Sequence, residues 1–270
     1  MKLKGKNQIV EFKQFADKLV STISSHEGVS GIIFLGGLAR GFVDQFSDLD
    51  ITILLNTKDE TTKKQIHDIC SNEQKVSGVE IDLQIFSLDD FKKRGWNEVD
   101  RWEYSKAQIA FDPNGNVERS LIRLNVPEDT WKRRIAACAE YLKWYCCPPE
   151  ENIDSIAYTW VKRGDLVAAH YCLNYSVELF LKLVFALNRE FLPPPKWRIF
   201  YSHQLKWLPK GYREFVKEVM GIKDFSKDCL KQRLEAMQKM WTKTVPRIEE
   251  QTGLNLEEIH RRYVERILSQ

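Results

Sequence analysis

The segment from residue 32 to residue 55, IIFLGGLARGFVDQFSDLDITILL, constrains the fold of this chain more than any other part. An apolar run lies at each of its ends, and each run has the length of a buried strand rather than of a helix. Gly36-Gly37 and a polar connection stand between the two runs and are typical of a turn. The segment therefore predicts two buried strands, over residues 31–35 and 49–55.

Two carboxylates, Asp48 and Asp50, stand at the start of the second strand. Alternate residues of a strand point to the same face, so these side chains face the same way. A third carboxylate, Asp82, lies in a predicted strand over residues 79–86, where an unpaired charge among apolar neighbours is costly. Three carboxylates from two adjacent strands can hold one or two Mg²⁺ ions, which would activate a hydroxyl and stabilise a leaving pyrophosphate.

Gly36 and Gly37 have the complementary role in this prediction. Without a side chain, glycine lets backbone amides approach a phosphate closely. Ser47 could add a hydrogen bond to phosphate, and Arg40 could bind it through its planar guanidinium. The sequence contains no GxxxxGK[ST], so a P-loop is excluded. A lone Gly-Gly is usually a plain turn and a lone Asp-x-Asp a solvated strand end, but their combination indicates phosphoryl transfer.

The pattern of apolar residues divides the chain near residue 125. Before it, strands over residues 31–35, 49–55, 79–86 and 107–111 alternate with helices over 8–25 and 58–70, as in a small α/β domain. Beyond it, helical spacing predominates between proline clusters that no helix interior tolerates. The expected helices cover residues 131–145, 152–162, 165–188, 212–220, 225–244 and 256–268, with Thr130 as a plausible first cap. The predicted fold class is α+β, an α/β domain with a small mixed sheet followed by an all-α domain.

Composition and charge limit the possible functions. With 43% hydrophobic and 29% charged residues, the 270-residue chain is expected to be globular, and it has no apolar run near the roughly 20 residues of a membrane span. The N-terminus lacks the apolar core of a signal peptide, and six cysteines without metal or disulfide spacing favour a cytoplasmic location. Residues 1–125 carry a net charge of −2 and residues 126–270 one of +5, too weak an asymmetry for a nucleic-acid binder.

At the glycine and carboxylate positions the chain resembles the nucleotidyltransferases of the DNA polymerase β type. Their pattern is an apolar strand, Gly-[Gly/Ser], a spacer of about this length, Asp-x-[Asp/Glu] and a later third carboxylate. The motifs Ala39-Arg40-Gly41 and Ser47-Asp48-Leu49-Asp50 look most like the small-molecule branch, which includes aminoglycoside and lincosamide nucleotidyltransferases. One departure is Gly37, since many members have serine there, and a hydroxyl contact to phosphate is lost.

The resemblance implies Mg²⁺-dependent transfer of a nucleoside monophosphate, AMP from ATP in the simplest case, to a hydroxyl of a small molecule. Pyrophosphate would be released. By the same resemblance, residues 1–125 would be the catalytic domain and residues 126–270 a helical substrate-binding domain. The expected partners are a nucleoside triphosphate and a hydroxyl-bearing acceptor, and the protein would be a monomer or a homodimer.

In the helical half, His170, Asn174, Glu178 and Lys182 recur every fourth residue. If this stripe faces a catalytic cleft, Glu178 could act as general base for the acceptor hydroxyl, with Asn174 positioning it. A solvated helix face with a Glu178–Lys182 pair explains the spacing more simply. Asp82 could serve as the base instead, so the chemistry does not require Glu178.

Lys196 is a further candidate in the helical half. It follows three prolines and precedes Trp197 in what reads as a rigid loop, so it could reach the triphosphate of a bound nucleotide. Trp197 or Tyr201 could stack on a base or sugar. An indole that merely anchors the loop is an equally good interpretation.

Two other classes of function stay open. Transfer to RNA is disfavoured because the chain has no strongly basic run. A catalytically inactive, antitoxin-like relative is disfavoured because all three carboxylates are present. Transfer to a protein, as in some toxin-neutralising members of the family, is the remaining alternative.

Overall fold

The computed structural model describes residues 3–56, 58–148 and 154–268, with side chains only to residue 262 in the last helix. Two compact units divide the chain, Lys2–Asn125 and Val126–Gln270. The first unit combines a sheet with helices and the second is helical, so the predicted α+β fold class is confirmed. Within the described ranges, every helix is too short or too polar to cross a lipid bilayer.

A four-stranded sheet in the order β3-β2-β1-β4 forms the centre of the first unit. The strands are β1 (Val29–Phe34), β2 (Leu49–Leu55), β3 (Ile81–Ser87) and β4 (Gln108–Phe111). β1 is antiparallel to β2 and β4, whereas β2 is parallel to β3, so the sheet is mixed as predicted. β1 and most of β2 are buried on both faces, which explains their uninterrupted apolar runs.

Helices cover both faces of this sheet. They are α1 (Ile9–Ser24), α2 (Gly36–Arg40), α3 (Glu60–Ser77), α4 (Leu88–Lys93), α5 (Glu98–Ser105) and α6 (Asn116–Ile122). α1 and α3 pack on one face, where Ile51 and Ile53 of β2 are buried. Residues of α4 to α6 pack with Leu54 of β2 on the other face. The even-numbered residues of β2, Asp50 among them, therefore belong to the face that α4 to α6 cover only in part.

The second unit is a helical bundle around one long buried helix. Its helices are α7 (Glu128–Tyr145), α8 (Ile156–Lys162), α9 (Leu166–Leu187), α10 (Pro195–Ser202), α11 (Tyr212–Met220), α12 (Lys227–Thr252) and α13 (Leu256–Leu268). α9 packs against α7, α8, α10 and α12. The side chain of Asp165 caps its first turn by accepting a hydrogen bond from the backbone N–H of Ala168.

Several helix boundaries differ from the predictions. α7 begins two residues before Thr130, after Pro127, so Thr130 is not its N-cap. α3 continues to Gly78, whose positive φ of 73° ends it as a left-handed cap. α12 runs through Pro246 to Thr252, and its buried residues continue through Ile248 to Thr252. In the helix predicted over residues 152–162, positions 152 and 153 lie outside the described residues, and α8 begins after its cap Ser155.

The segment after the three prolines is a helix rather than the predicted rigid loop. Pro195 is the first residue of α10, a position where its missing N–H costs no helical hydrogen bond. Lys196 lies in the first turn of this helix and its side chain is exposed. The structure thus places Lys196 on a regular helix surface.

Candidate active site

Three carboxylates meet at one end of the β2–β3 pair. Asp50 and Asp82 are directly opposite each other in the parallel register, and Asp48 immediately precedes β2. One oxygen from each of the three carboxylates lies within 4.8 Å of the others. Oxygen ligands at such spacing fit a divalent cation such as Mg²⁺.

Asp50 shows the electrostatic cost of this arrangement. Its pKa is raised from 3.8 to about 6, mainly by burial and then by the charges of Asp48, Glu103 and Asp82, while Arg40 opposes the shift. A cation bound among these groups would remove the repulsion that raises the pKa. The residues present therefore fit a divalent metal.

Asp82 is exposed, so the expectation of a costly charge among apolar neighbours is wrong for this residue. The reason is that β3 is an edge strand, and its even-numbered side chains lie on a face that the helices leave partly open. Asp48 and Asp50, at the start of the inner strand β2, are the partly buried carboxylates.

Gly36 and Gly37 form the start of α2 and lie close to the carboxylates. Gly36 has a φ of +55°, and a Cβ there would stand 1.5 Å from Oδ2 of Asp50. A Cβ on Gly37 would stand 2.7 Å from the carbonyl oxygen of Phe42. This contact explains why position 37 is glycine rather than the serine of many family members. A side chain at position 37 would collide with the backbone that follows α2.

Arg40 and Ser47 are both engaged in hydrogen bonds within the first unit. The Nη1 of Arg40 donates to Oε2 of Glu103 at 2.8 Å, and the guanidinium lies 5.0 Å from the ring centroid of Trp102. The hydroxyl of Ser47 donates to Oδ1 of Asp44 at 3.1 Å and accepts from its backbone N–H at 3.0 Å. Phosphate binding by either side chain stays a prediction and would require these bonds to rearrange.

Glu103 is a fourth carboxylate near the cluster that sequence reasoning missed. It lies on α5 and influences Asp50 directly, since its charge is among the causes of the raised pKa. No motif marks it, because its position depends on how α5 packs over the sheet. The apolar pattern of the sequence does not predict α5.

The four-residue stripe on α9 is divided between two environments. His170 and Asn174 accept hydrogen bonds from the buried Arg233, at 2.6 Å to Nδ1 of His170 and 2.5 Å to Oδ1 of Asn174. Glu178 accepts a hydrogen bond from Nη1 of Arg198 at 2.5 Å. The stripe is therefore not one solvated face, and the ion pair of Glu178 is with Arg198 rather than with Lys182.

Family comparisons match both parts of the chain. A model described as a nucleotidyltransferase domain (NTP_transf_2) matches residues 16–107, which include the three carboxylates. A model described as a domain of unknown function (DUF4037) matches residues 100–198. No curated protein matches the sequence.

Similar solved structures include a nucleotidyltransferase-like protein from Exiguobacterium sibiricum 255-15, at 10% identity and a TM-score of 0.43, covering 89% of this chain and 78% of that one. Spectinomycin adenyltransferase AAD(9) from Enterococcus faecialis, with ATP and spectinomycin, has 11% identity and a TM-score of 0.36, covering 86% and 99%. A chain of the complex of tri-AMPylated Shewanella oneidensis HEPN toxin with MNT antitoxin has 12% identity and a TM-score of 0.29, covering 47% and 92%.

The structural likenesses have TM-scores of 0.43 or less, so no conclusion about substrate follows from them. The match to the nucleotidyltransferase family model is more informative about the site. It covers the strands and the turn that hold the three carboxylates. Residues 16–107 of this chain therefore match a nucleotidyltransferase domain, in agreement with the resemblance to the DNA polymerase β type that Gly36-Gly37, Asp48, Asp50 and Asp82 indicate.

Proposed function

We propose that this chain uses Mg²⁺ to transfer a nucleoside monophosphate, AMP from ATP, to a hydroxyl of a small molecule, with release of pyrophosphate. The observation that supports it best is the approach of Asp48, Asp50 and Asp82 oxygens to within 4.8 Å on a nucleotidyltransferase domain. The choice of a small molecule as acceptor is supported only by the motifs around Arg40 and Ser47, which resemble those of the small-molecule nucleotidyltransferases.

In this proposal Asp48, Asp50 and Asp82 hold the metal. When bound, Mg²⁺ would polarise the phosphoryl oxygens and neutralise the charge that develops on pyrophosphate. The backbone amides of Gly36 and Gly37 donate to the terminal phosphates, which can come close because neither residue has a side chain. Arg40, Ser47 and Lys196 are assigned supporting contacts to the nucleotide.

The transfer exchanges one phosphorus–oxygen bond for another. The acceptor oxygen forms a bond to the α-phosphorus, and the bond from that phosphorus to the oxygen bridging to the β-phosphate breaks. The hydroxyl proton goes to a carboxylate, for which we assign Asp82. Asp82 is exposed and forms no ion pair among the described residues, whereas Glu178 is already engaged by Arg198.

The test is a transfer assay with ATP labelled on its α-phosphate, in Mg²⁺, against aminoglycosides, lincosamides, tRNA and cell extract. Label is expected in a small-molecule fraction, and Asp48→Asn and Asp50→Asn should abolish its uptake. Asp68→Asn, an exposed aspartate on α3, is the matched control and should retain it. Label confined to RNA or protein would overturn the acceptor class, and no label in any fraction would overturn the activity.

A further inference from the structure

A cavity of about 360 Å³ lies within the second unit, against α11, the first half of α12 and the segment that joins these helices. This volume falls in the range of pockets that bind small molecules. Four cationic and two acidic side chains line it, namely those of Lys217, Lys223, Arg233, Lys239, Glu218 and Glu235. The lining therefore carries a net charge of +2 and attracts anions.

Arg233 is the buried member of this lining. Its side chain is 1% exposed, whereas the lysines and glutamates around it are exposed. Its Nε donates to the carbonyl oxygen of Val219 in α11 at 2.7 Å, and its other two nitrogens make the hydrogen bonds to His170 and Asn174 of α9. Because a guanidinium can only donate, Nδ1 of His170 carries no proton and the ring is neutral. All three acceptors of Arg233 are therefore neutral groups.

The charge of Arg233 lacks a counter-ion in the part of the chain that the structure describes. Burial lowers the pKa of Arg233, and the group that opposes this shift is the thiol of Cys229 rather than a carboxylate. The end of α11 attracts a cation, since the last turn of a helix has a partial negative charge. A partial charge does not neutralise a full one, however, and a buried charge without an ionic partner is strongly unfavourable.

The guanidinium also keeps donors for a ligand. Each of its three nitrogens makes one hydrogen bond, so one N–H on Nη1 and one on Nη2 have no partner among the described residues. Arg233 lines the cavity, where an anion would accept these hydrogen bonds and supply the missing negative charge. Carboxylates and phosphates are the anions that a planar guanidinium binds best.

A phosphate group matches the cavity better than a carboxylate does. A phosphate monoester carries a charge of about −1.5 to −2 near neutral pH, which balances the net charge of the lining, and a carboxylate carries only half as much. The cavity also has room for more than the phosphate itself. Its ligand is therefore expected to have a small organic group beside the phosphate.

We propose that this cavity binds a small molecule bearing a phosphate monoester, with the phosphate on Arg233 and the exposed lysines Lys217 and Lys223 beside it. All the residues that line the cavity belong to the second unit. The proposal therefore does not depend on the proposed function, which rests on the carboxylates of the first unit.

The experiment follows binding of β-glycerophosphate to the full chain by phosphorus NMR titration. Mg²⁺ is left out, so that the carboxylates of the first unit repel the probe. The wild type should bind it saturably, and acetate at the same ionic strength should not displace it. Loss of hydrogen bonds from a charged donor should weaken binding to Arg233→Met about 10- to 100-fold.

A pair of exposed lysines gives a second variant that leaves the buried side chains intact. Lys217→Gln combined with Lys223→Gln should weaken binding about 3- to 10-fold, because exposed charges interact less strongly than a buried one. Lys206→Gln combined with Lys231→Gln removes the same charge from exposed positions that do not line the cavity, and it should bind as the wild type does.

Four results would overturn the proposal. The first is a wild type without saturable binding, and the second is a folded Arg233→Met that binds with unchanged affinity. The third is equal affinity in the two lysine variants, which would indicate long-range attraction instead of a site. The fourth is displacement by acetate at matching concentration, which would make the ligand a carboxylate. If Arg233→Met does not fold, the comparison of the two lysine variants decides alone.

Discussion

Asp50 and Asp82 are direct neighbours across the parallel strands β2 and β3, so two carboxylates project from one face of the sheet a single strand apart. Neighbouring strands are separated by about 4.8 Å, a distance at which like charges repel strongly unless a cation lies between them. The pKa of Asp50 is raised to about 6, first by burial, then by the charges of Asp48 and Glu103, and after these by the charge of Asp82. The register of β2 and β3 therefore brings together two of the three carboxylates that could bind a cation.

Metal binding should depend on pH through Asp50. Its pKa of about 6 means that the metal-free protein holds a proton there at pH 5.5 which a bound cation must displace. We expect Mg²⁺ affinity to fall about tenfold per pH unit below 6 and to level off above 7. Calorimetry in buffers of different ionisation enthalpy should detect proton release at pH 5.5 and little at pH 7.5. Affinity that is flat from pH 5 to 7 would contradict this.

The same shift predicts how stability changes with pH. The folded protein binds this proton more tightly than the unfolded chain, whose aspartate pKa is near 3.8. Metal-free protein should therefore lose stability as the pH rises from about 4 through about 6, and Mg²⁺ should restore it above 6. The measurement is the melting temperature of the wild type minus that of Asp50→Asn across this range. A difference that increases with pH in the absence of metal would refute the assignment.

Gly36→Ala should disable the metal site. Its Cβ would fall 1.5 Å from Oδ2 of Asp50, so the carboxylate must move out of the cluster. Gly41→Ala is a matched control, since Gly41 also has a positive φ, 83°, but open space around it. Both variants carry a backbone cost of about 1–2 kcal/mol. Mn²⁺ binding measured by electron paramagnetic resonance should be lost in Gly36→Ala and kept in Gly41→Ala, and equal binding would count against the geometry.

Replacing either member of the Arg40–Glu103 ion pair should shift the pKa of Asp50, and the two replacements should shift it in opposite directions. Glu103 raises the pKa of Asp50 by its negative charge, and Arg40 lowers it. Glu103→Gln should therefore shift the pH of half-maximal Mn²⁺ binding downward, and Arg40→Gln should shift it upward. Shifts of the same sign would show that the two residues act through structure rather than through their charges.

Replacement of Glu178 tests which carboxylate receives the acceptor proton. Because Glu178 is held by Arg198, Glu178→Gln should change kcat by less than about twofold, whereas loss of a general base at Asp82→Asn should lower it about 10²- to 10⁴-fold. The rate of labelled-nucleotide transfer is the readout. A hundredfold loss in Glu178→Gln with an unchanged melting temperature would transfer the role to Glu178.

The sequence predicts those parts of this structure that depend only on residues close together in the chain. The bounds of β2 and the shared face of Asp48 and Asp50 follow from alternation and from apolar runs, which depend on neighbouring residues alone. α4, α5 and α6 have six, eight and seven residues, too few for a helical period to emerge. The positions of Glu103 and Tyr104 over the sheet depend on the packing of α5.

The exposure of Asp82 could not be predicted for a related reason. Whether a strand lies at an edge or inside a sheet is decided by pairing between distant segments, and β3 alternates apolar and polar residues in either case. The three prolines before Lys196 are likewise compatible with two structures, because proline occurs both in rigid loops and in the first turn of a helix.

In the second unit, Glu140 should be a major determinant of stability. Its side chain is 1% exposed, and its two oxygens accept hydrogen bonds from Nζ of Lys143 at 2.9 Å and from Nδ1 of His260 at 2.7 Å. It therefore connects α7 to α13. Glu140→Ala leaves the ammonium of Lys143 buried without its partner, and we expect a loss of about 3–5 kcal/mol in the free energy of unfolding.

Chemical denaturation of three variants tests this expectation. Because the cost in Glu140→Ala comes from an unpaired buried charge, adding Lys143→Met should recover much of the lost stability. His260→Ala should cost less than Glu140→Ala, since the His260 side chain is 45% exposed and water can replace part of its contact. If Glu140→Ala unfolds within about 1 kcal/mol of the wild type, the buried carboxylate does not hold α13 to α7.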